Sequence, residues 1–140
     1  MRKILFKAKE AKTGKWAQGN YYEQPKFEKC RYLITWNGRD ALGNFGDRYH
    51  PVENVVIDEK TLSQYTGVDD VYKRKIFEND IVDLILPYKT IRCKVVFERG
   101  HFELVDIDDT LVYYISPSLD MKIVGNIFDN PKLLEEANEN

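Results

Sequence analysis

Few residues in this chain could carry chemistry, and their spacing argues against most of the chemistry they could do. There are two histidines, His50 and His101, and neither has a second His, Cys, Asp or Glu at metal-ligand spacing. Asp106, Asp108 and Asp109 could hold a hard cation, but the glycine and distant glutamate of a calcium loop are missing. They read instead as a solvated acidic turn that discourages edge-to-edge strand pairing. Cys93 sits between Arg92 and Lys94, whose charges could lower a thiol pKa. Its alternation with Ile91 and Val95 makes it a core thiol instead. Gly43-Asn44-Phe45-Gly46 is glycine-rich but lacks the Lys-Ser/Thr that completes a phosphate loop. The sequence therefore assigns no catalytic, metal-binding or cofactor-binding residue, leaves ligand-binding residues open, and predicts a protein that is not an enzyme.

One non-catalytic pattern remains. Lys73-Arg74-Lys75 and then Lys89, Arg92 and Lys94 are interleaved with Tyr72, Phe77 and Tyr88, a mixture that suits single-stranded nucleic acid through charge and stacking. Against it stand a formal net charge of −2 and five carboxylates, Glu103, Asp106, Asp108, Asp109 and Asp120, in a stretch without Lys or Arg. Nucleic-acid binding is thus the second reading. The leading one comes from the charge distribution. Arg2, Lys3, Lys7, Lys9, Lys12 and Lys15 face only Glu10 in the first sixteen residues, and this basic start opposes the acidic stretch. Such polarity could serve head-to-tail self-association, although two solvated faces of opposite sign would look the same.

The elements that position these residues read as mainly β. Aromatic residues make up 13% of 140 positions, with nine Tyr and seven Phe, and they favour pleated, half-buried surfaces. Ile4–Ala8 and Trp16–Tyr22 flank a turn at Gly14 and predict a hairpin. Lys29–Trp36 predicts a third strand, and Asn37–Pro51, with three turn signals, a long loop. Asn54–Ile57 reads as a short strand, after which Asp58 stands as an N-cap for a helical turn ending at Gly67. Asp69–Lys75 reads as a charged connection. Beyond it, segments at 80–86, 91–97, 101–105, 111–115 and 122–128 predict short strands, before Pro131 opens a last helix over 132–137. Strands so short and close suggest a small closed barrel. The Met-Arg-Lys start has too short an apolar run for a signal core, and no apolar run approaches the ~20 residues that span a bilayer. With Cys30 and Cys93 far apart, the expectation is a cytoplasmic protein with reduced thiols and no membrane contact.

Four segments carry a resemblance. The opening Ile4-Leu5-Phe6-Lys7 with Thr13-Gly14-Lys15-Trp16, then Thr61-Leu62-Ser63-Gln64-Tyr65-Thr66-Gly67, Lys75-Ile76-Phe77-Glu78-Asn79-Asp80-Ile81-Val82, and Ile123-Val124-Gly125-Asn126-Ile127-Phe128 with Asn130-Pro131 follow one another along the chain. Together they make the chain resemble the YopX family of phage and prophage proteins. Asn79 departs from the pattern, standing where the family has Gly; Asn tolerates the left-handed backbone such a turn requires. The resemblance implies a temperate-phage or prophage origin in a Gram-positive host and the host cytoplasm as compartment. It carries no established activity and no functional residues.

The expected organisation is an N-terminal β-rich subdomain over 1–70 with its long loop at 37–51. An SH3-like barrel over 76–130 and a short helix with a flexible tail over 131–140 follow. The expected function is that of a phage or prophage accessory protein working as a homo-oligomer that binds a host or phage protein.

Overall fold

The computed structural model describes residues 4–24, 30–36, 52–107 and 111–136. The expected loop at 37–51, with His50, lies outside these residues, as does the tail beyond 136. Ten strands and one four-residue helix make up the described part, and the chain divides into two compact units, Lys3–Gln64 and Tyr65–Asn140. Mainly β is therefore the right class.

In the first unit, β1 (Phe6–Glu10) and β2 (Trp16–Gln24) form the expected antiparallel hairpin, and β2 continues to β3 (Cys30–Trp36). The turn between β1 and β2 needs Gly14, whose φ is 71°. Ala8 and Ile57 are buried here, with Phe6, Ala17, Tyr21, Val55 and Leu62 packed around them. The strand β4 (Val52–Asp69) pairs with β3 through Val52–Val56 and then with β1.

The predicted helical turn after Asp58 does not form; β4 runs through it. The capping chemistry is real but builds a bulge. Between Lys7 and Lys9 of β1 the partner moves from Ser63 to Asp58, so extra β4 residues loop out at this point. The Asp58 carboxylate accepts the Lys60 N–H at 3.2 Å, and Thr61 Oγ1 donates to the Asp58 carbonyl at 2.7 Å. Thr61 Oγ1 also accepts the Lys9 N–H at 2.8 Å. A single helical turn is a costly nucleus with little to stabilise it, whereas pairing with β1 satisfies the same backbone. Burial of alternate residues, Thr61, Ser63 and Tyr65, is the period of a strand.

In the second unit the end of β4 pairs with β5 (Lys75–Phe77), which the sequence reading did not assign as a strand, since Lys75 closes its charged connection and Ile76 opens its barrel. Gly67, at φ 89°, lies where this ladder shifts register between Tyr65 and Asp69, so it shapes a strand irregularity rather than ending a helix. The Tyr65 ring lies 5.6 Å from that of Phe77, and its hydroxyl donates to Asp69. Burial, with the Asp69 carboxylate beside it, pushes the Tyr65 hydroxyl up to about 12. After a turn in which Asn79 has φ 72° and the Asp80 carboxylate accepts the Phe77 N–H at 2.8 Å, β6 (Asp80–Ile85) begins.

The second sheet also contains β7 (Thr90–Glu98), β8 (His101–Asp106), β9 (Val112–Tyr114) and β10 (Met121–Asn126), in the order β10-β6-β7-β8-β9. All its pairings are antiparallel, and they leave β9 and β10 as edges, so the described hydrogen bonds do not close the expected SH3-like barrel. Ile76, Val82, Leu84, Cys93, Val95, Leu104 and Met121 are fully buried in one cluster. Truncating a side chain such as Leu84 there to Ala costs about 2–5 kcal/mol. The last described element is α1 (Leu133–Glu136), which begins one residue later than expected.

Candidate interaction surface

The sequence of β8 alternates so that Leu104 enters the core while Glu103 and Val105 belong to the other face. Across the ladder, Glu103 is opposite Tyr114 and Val105 opposite Val112. His101 Nε2 lies 2.6 Å from Glu103 Oε1, a spacing at which the carboxylate orients the imidazole. The same ring meets Tyr114 edge-on, 4.6 Å between centroids at 81°. Glu103 is thereby buried beneath a His–Tyr pair. A cleft of about 370 Å³ opens beside it, lined by Thr66, His101, Phe102, Tyr114 and Ile115. Thr66 Oγ1 donates to the Ile76 carbonyl at 2.8 Å, which ties the cleft wall to β5.

The edge strand β9 presents apolar side chains to water: Val112 is 53% and Tyr114 69% exposed. Its hydrogen bonding explains what else it presents. Ile115 donates to the Phe102 carbonyl and Leu111 accepts from the Asp106 N–H, at 3.3 and 3.1 Å. Alternation then directs the amide groups of Val112 and Tyr114 away from β8. Among the described residues no strand pairs on that side.

The other residues singled out from the sequence fall elsewhere. Asp106 is buried and accepts the Leu111 N–H at 3.2 Å, so it is not part of a solvated turn, and Asp108 and Asp109 lie outside the described residues. Of the five carboxylates of the acidic stretch, Glu103 and Asp106 are internal and Asp120 is exposed, which weakens charge as the basis for association. Cys93 is buried and not disulfide-bonded. Burial, then the charges of Asp106 and Asp83, pushes its thiol up to about 12, so Arg92 and Lys94 do not activate it. Arg92 is engaged by the Asp83 carboxylate at 2.9 and 3.3 Å and by the Leu133 carbonyl at 3.4 Å. Phe77 is buried, whereas Tyr72 and Tyr88 are exposed. Among the described residues no three His, Cys, Asp or Glu side chains gather as metal ligands, and no helix is long and apolar enough to cross a membrane. The sequence reading missed Val112 and Tyr114. Their signal was a run, Leu111 to Ile115, apolar on both faces of a strand that could bury only one.

A family profile described as YopX protein matches residues 5–135. The chain belongs to the YopX family. Its fold is similar to that in the crystal structure of protein EF1440 from Enterococcus faecalis, with a TM-score of 0.59 at 17% identity over 96% of this chain and 99% of that one. No curated protein matches it. In this YopX chain the resembling segments do structural work. Gly125 is one case: a Cβ there would lie 2.6 Å from Asn130 Oδ1 and 2.9 Å from Asn130 Cβ. Asn130 Oδ1 accepts the Asn126 N–H at 3.2 Å, and Asn126 Oδ1 accepts those of Phe128 and Asp129 at 3.0 and 2.9 Å. These residues close the turn after β10, and glycine lets them approach.

Proposed function

We propose that this YopX-family protein is a phage or prophage accessory protein of the host cytoplasm, non-enzymatic, that works as a self-associating protein-interaction module. The observation that carries this reading is the β9 edge, where exposed Val112 and Tyr114 accompany outward-directed backbone amides. An edge of this kind is a template for strand addition, and natural sheets usually blunt theirs with charge or proline. No Lys, Arg or Pro interrupts Leu111–Ile115. A second copy satisfies the edge by antiparallel β9–β9 pairing about a two-fold axis, in which Tyr114 of each copy packs on the other. A host or phage protein would use the same edge by supplying an extended segment.

Light scattering over a micromolar concentration series tests this on the wild-type chain and on Tyr114→Lys. The expected result is a concentration-dependent dimer that Tyr114→Lys converts to monomer while circular dichroism still reports the folded sheet. A wild-type chain that stays strictly monomeric overturns the self-association.

A further inference from the structure

In the same sheet, two turns on either side of the start of β10 each carry an exposed aromatic ring and a cation. The Val71 N–H donates to the Met121 carbonyl and the Ile85 N–H to the Asp120 carbonyl, each at 2.8 Å. Successive carbonyls of an extended chain point to opposite sides, so Val71 and Ile85 flank the start of β10, about 10 Å apart at two strand spacings. Tyr72 follows Val71 directly and is 65% exposed. Tyr88 sits with Pro87 at the tip of the β6–β7 connection, which the Leu86 N–H closes by donating to the Lys89 carbonyl at 2.8 Å; it is 79% exposed.

Each ring has a cation over it: the Arg74 guanidinium 5.3 Å from the Tyr72 centroid and Lys89 Nζ 5.8 Å from that of Tyr88. The first turn is held rigidly. The buried Asp70 carboxylate accepts the N–H groups of Tyr72 and Arg74, both at 2.9 Å, and Lys73 takes a left-handed φ of 64° between them. A rigid turn that leaves a tyrosine largely in water keeps that ring available without an ordering cost at the moment of contact.

We propose that Tyr72 and Tyr88, with Lys73, Arg74 and Lys89, form a stacking platform for single-stranded nucleic acid. Bases stack on the open ring faces, while Lys73 and Lys89 meet phosphates. Arg74 keeps its pairing with Asp70 and backs the Tyr72 ring. A base edge is not read by any group here, so binding tolerates sequence. Asp120, exposed between the two turns, opposes the phosphates and limits affinity.

Fluorescence anisotropy of labelled oligo-dT and oligo-rU, with a duplex as control, tests the proposal on the full chain at low and high salt. Expected is single-strand binding that weakens as salt rises, because phosphate contacts release counterions. Tyr72→Ala and Tyr88→Ala should each weaken it about five- to hundredfold, while Tyr→Phe at either position retains it. Asp120→Asn should tighten it, and Tyr114→Lys should leave it unchanged. The DNA and RNA arms establish which strand is preferred. The proposal is overturned by absence of binding at low salt, by affinity untouched in the double Tyr→Ala variant, by preference for the duplex, or by equal competition from polyglutamate.

Discussion

Replacing Asp70 by Asn exchanges one oxygen for an amide nitrogen, and the geometry around that carboxylate sets the consequence. Oδ1 accepts the N–H groups of Tyr72 and Arg74, each at 2.9 Å. Oδ2 accepts Arg74 Nε at 2.9 Å and the Ile123 N–H at 3.1 Å. The side chain is wholly buried, whereas that of Arg74 is 51% exposed. In either flip an asparagine would turn its NH₂ toward two donors. Two hydrogen bonds to a charged acceptor are lost, at about 1.5–3 kcal/mol each, and they do not add fully. We expect a loss of about 3–5 kcal/mol, a large share of the ~5–15 kcal/mol that holds a typical domain together. At this chain length that lowers the melting temperature by roughly 10–20 °C. Burial alone would raise the Asp70 pKa, but hydrogen bonds from Arg74, Ile123 and Tyr72 outweigh it and hold the group below its ordinary 3.8. A depressed folded pKa contributes stability above 3.8 that is lost as pH falls through the folded value. Urea titrations of both proteins should show a constant gap at neutral and mildly acidic pH that narrows under stronger acid. A variant within about 0.5 kcal/mol of wild type, the range of ordinary surface changes, would refute this account, as would a gap that widens in acid.

Gly125→Ala should cost about 1–3 kcal/mol in chemical denaturation, because the new Cβ meets the stem of Asn130 and not only its flexible end. Gly125→Ala combined with Asn130→Gly should be less destabilised than the sum of the two single changes; strict additivity counts against the steric explanation. In a Cys30→Ser background, Cys93 should react with a thiol reagent only as fast as the protein opens, given its full burial and a thiol pushed up to about 12. Labelling at the rate of a small free thiol would contradict its place in the core.

The fold was legible where a segment's own period agreed with its tertiary partner. The 91–97 run alternates, and β7 does place Cys93 and Val95 inward, against Val82 and Leu104 in one cluster. Gly14 and Asn79 were readable as turn residues because positive φ leaves few choices of side chain. The failure at Asp58 has a definite cause. An N-cap signal reports only that a side-chain oxygen will satisfy backbone N–H groups nearby, and a bulge uses that oxygen as well as a helix does. What decided between them was β1, some fifty residues earlier, pairing with Gln64 and Ser63.

The candidate sites were legible only in part, since the use a charge is put to is a tertiary fact. In sequence, Glu103 and Asp106 look like members of an acidic face, yet each lies inside, against His101 or the Leu111 amide. Arg92 and Arg74 look like phosphate ligands, yet Asp83 and Asp70 already engage them. Removing these residues takes two of the five carboxylates from the acidic stretch and two of the six cations from the basic patch. Exposed tyrosines remain, Tyr114 on the β9 edge and Tyr72 and Tyr88 on the two turns that flank the start of β10. The two places differ in what accompanies the rings: apolar Val112 and outward amides at β9, Arg74 and Lys89 over the rings of the two turns. That difference is why we propose a protein strand for the first and single-stranded nucleic acid for the second. It also makes the two proposals separable, because Tyr114→Lys should abolish the first interaction and spare the second, while Tyr88→Ala should weaken the second and spare the first.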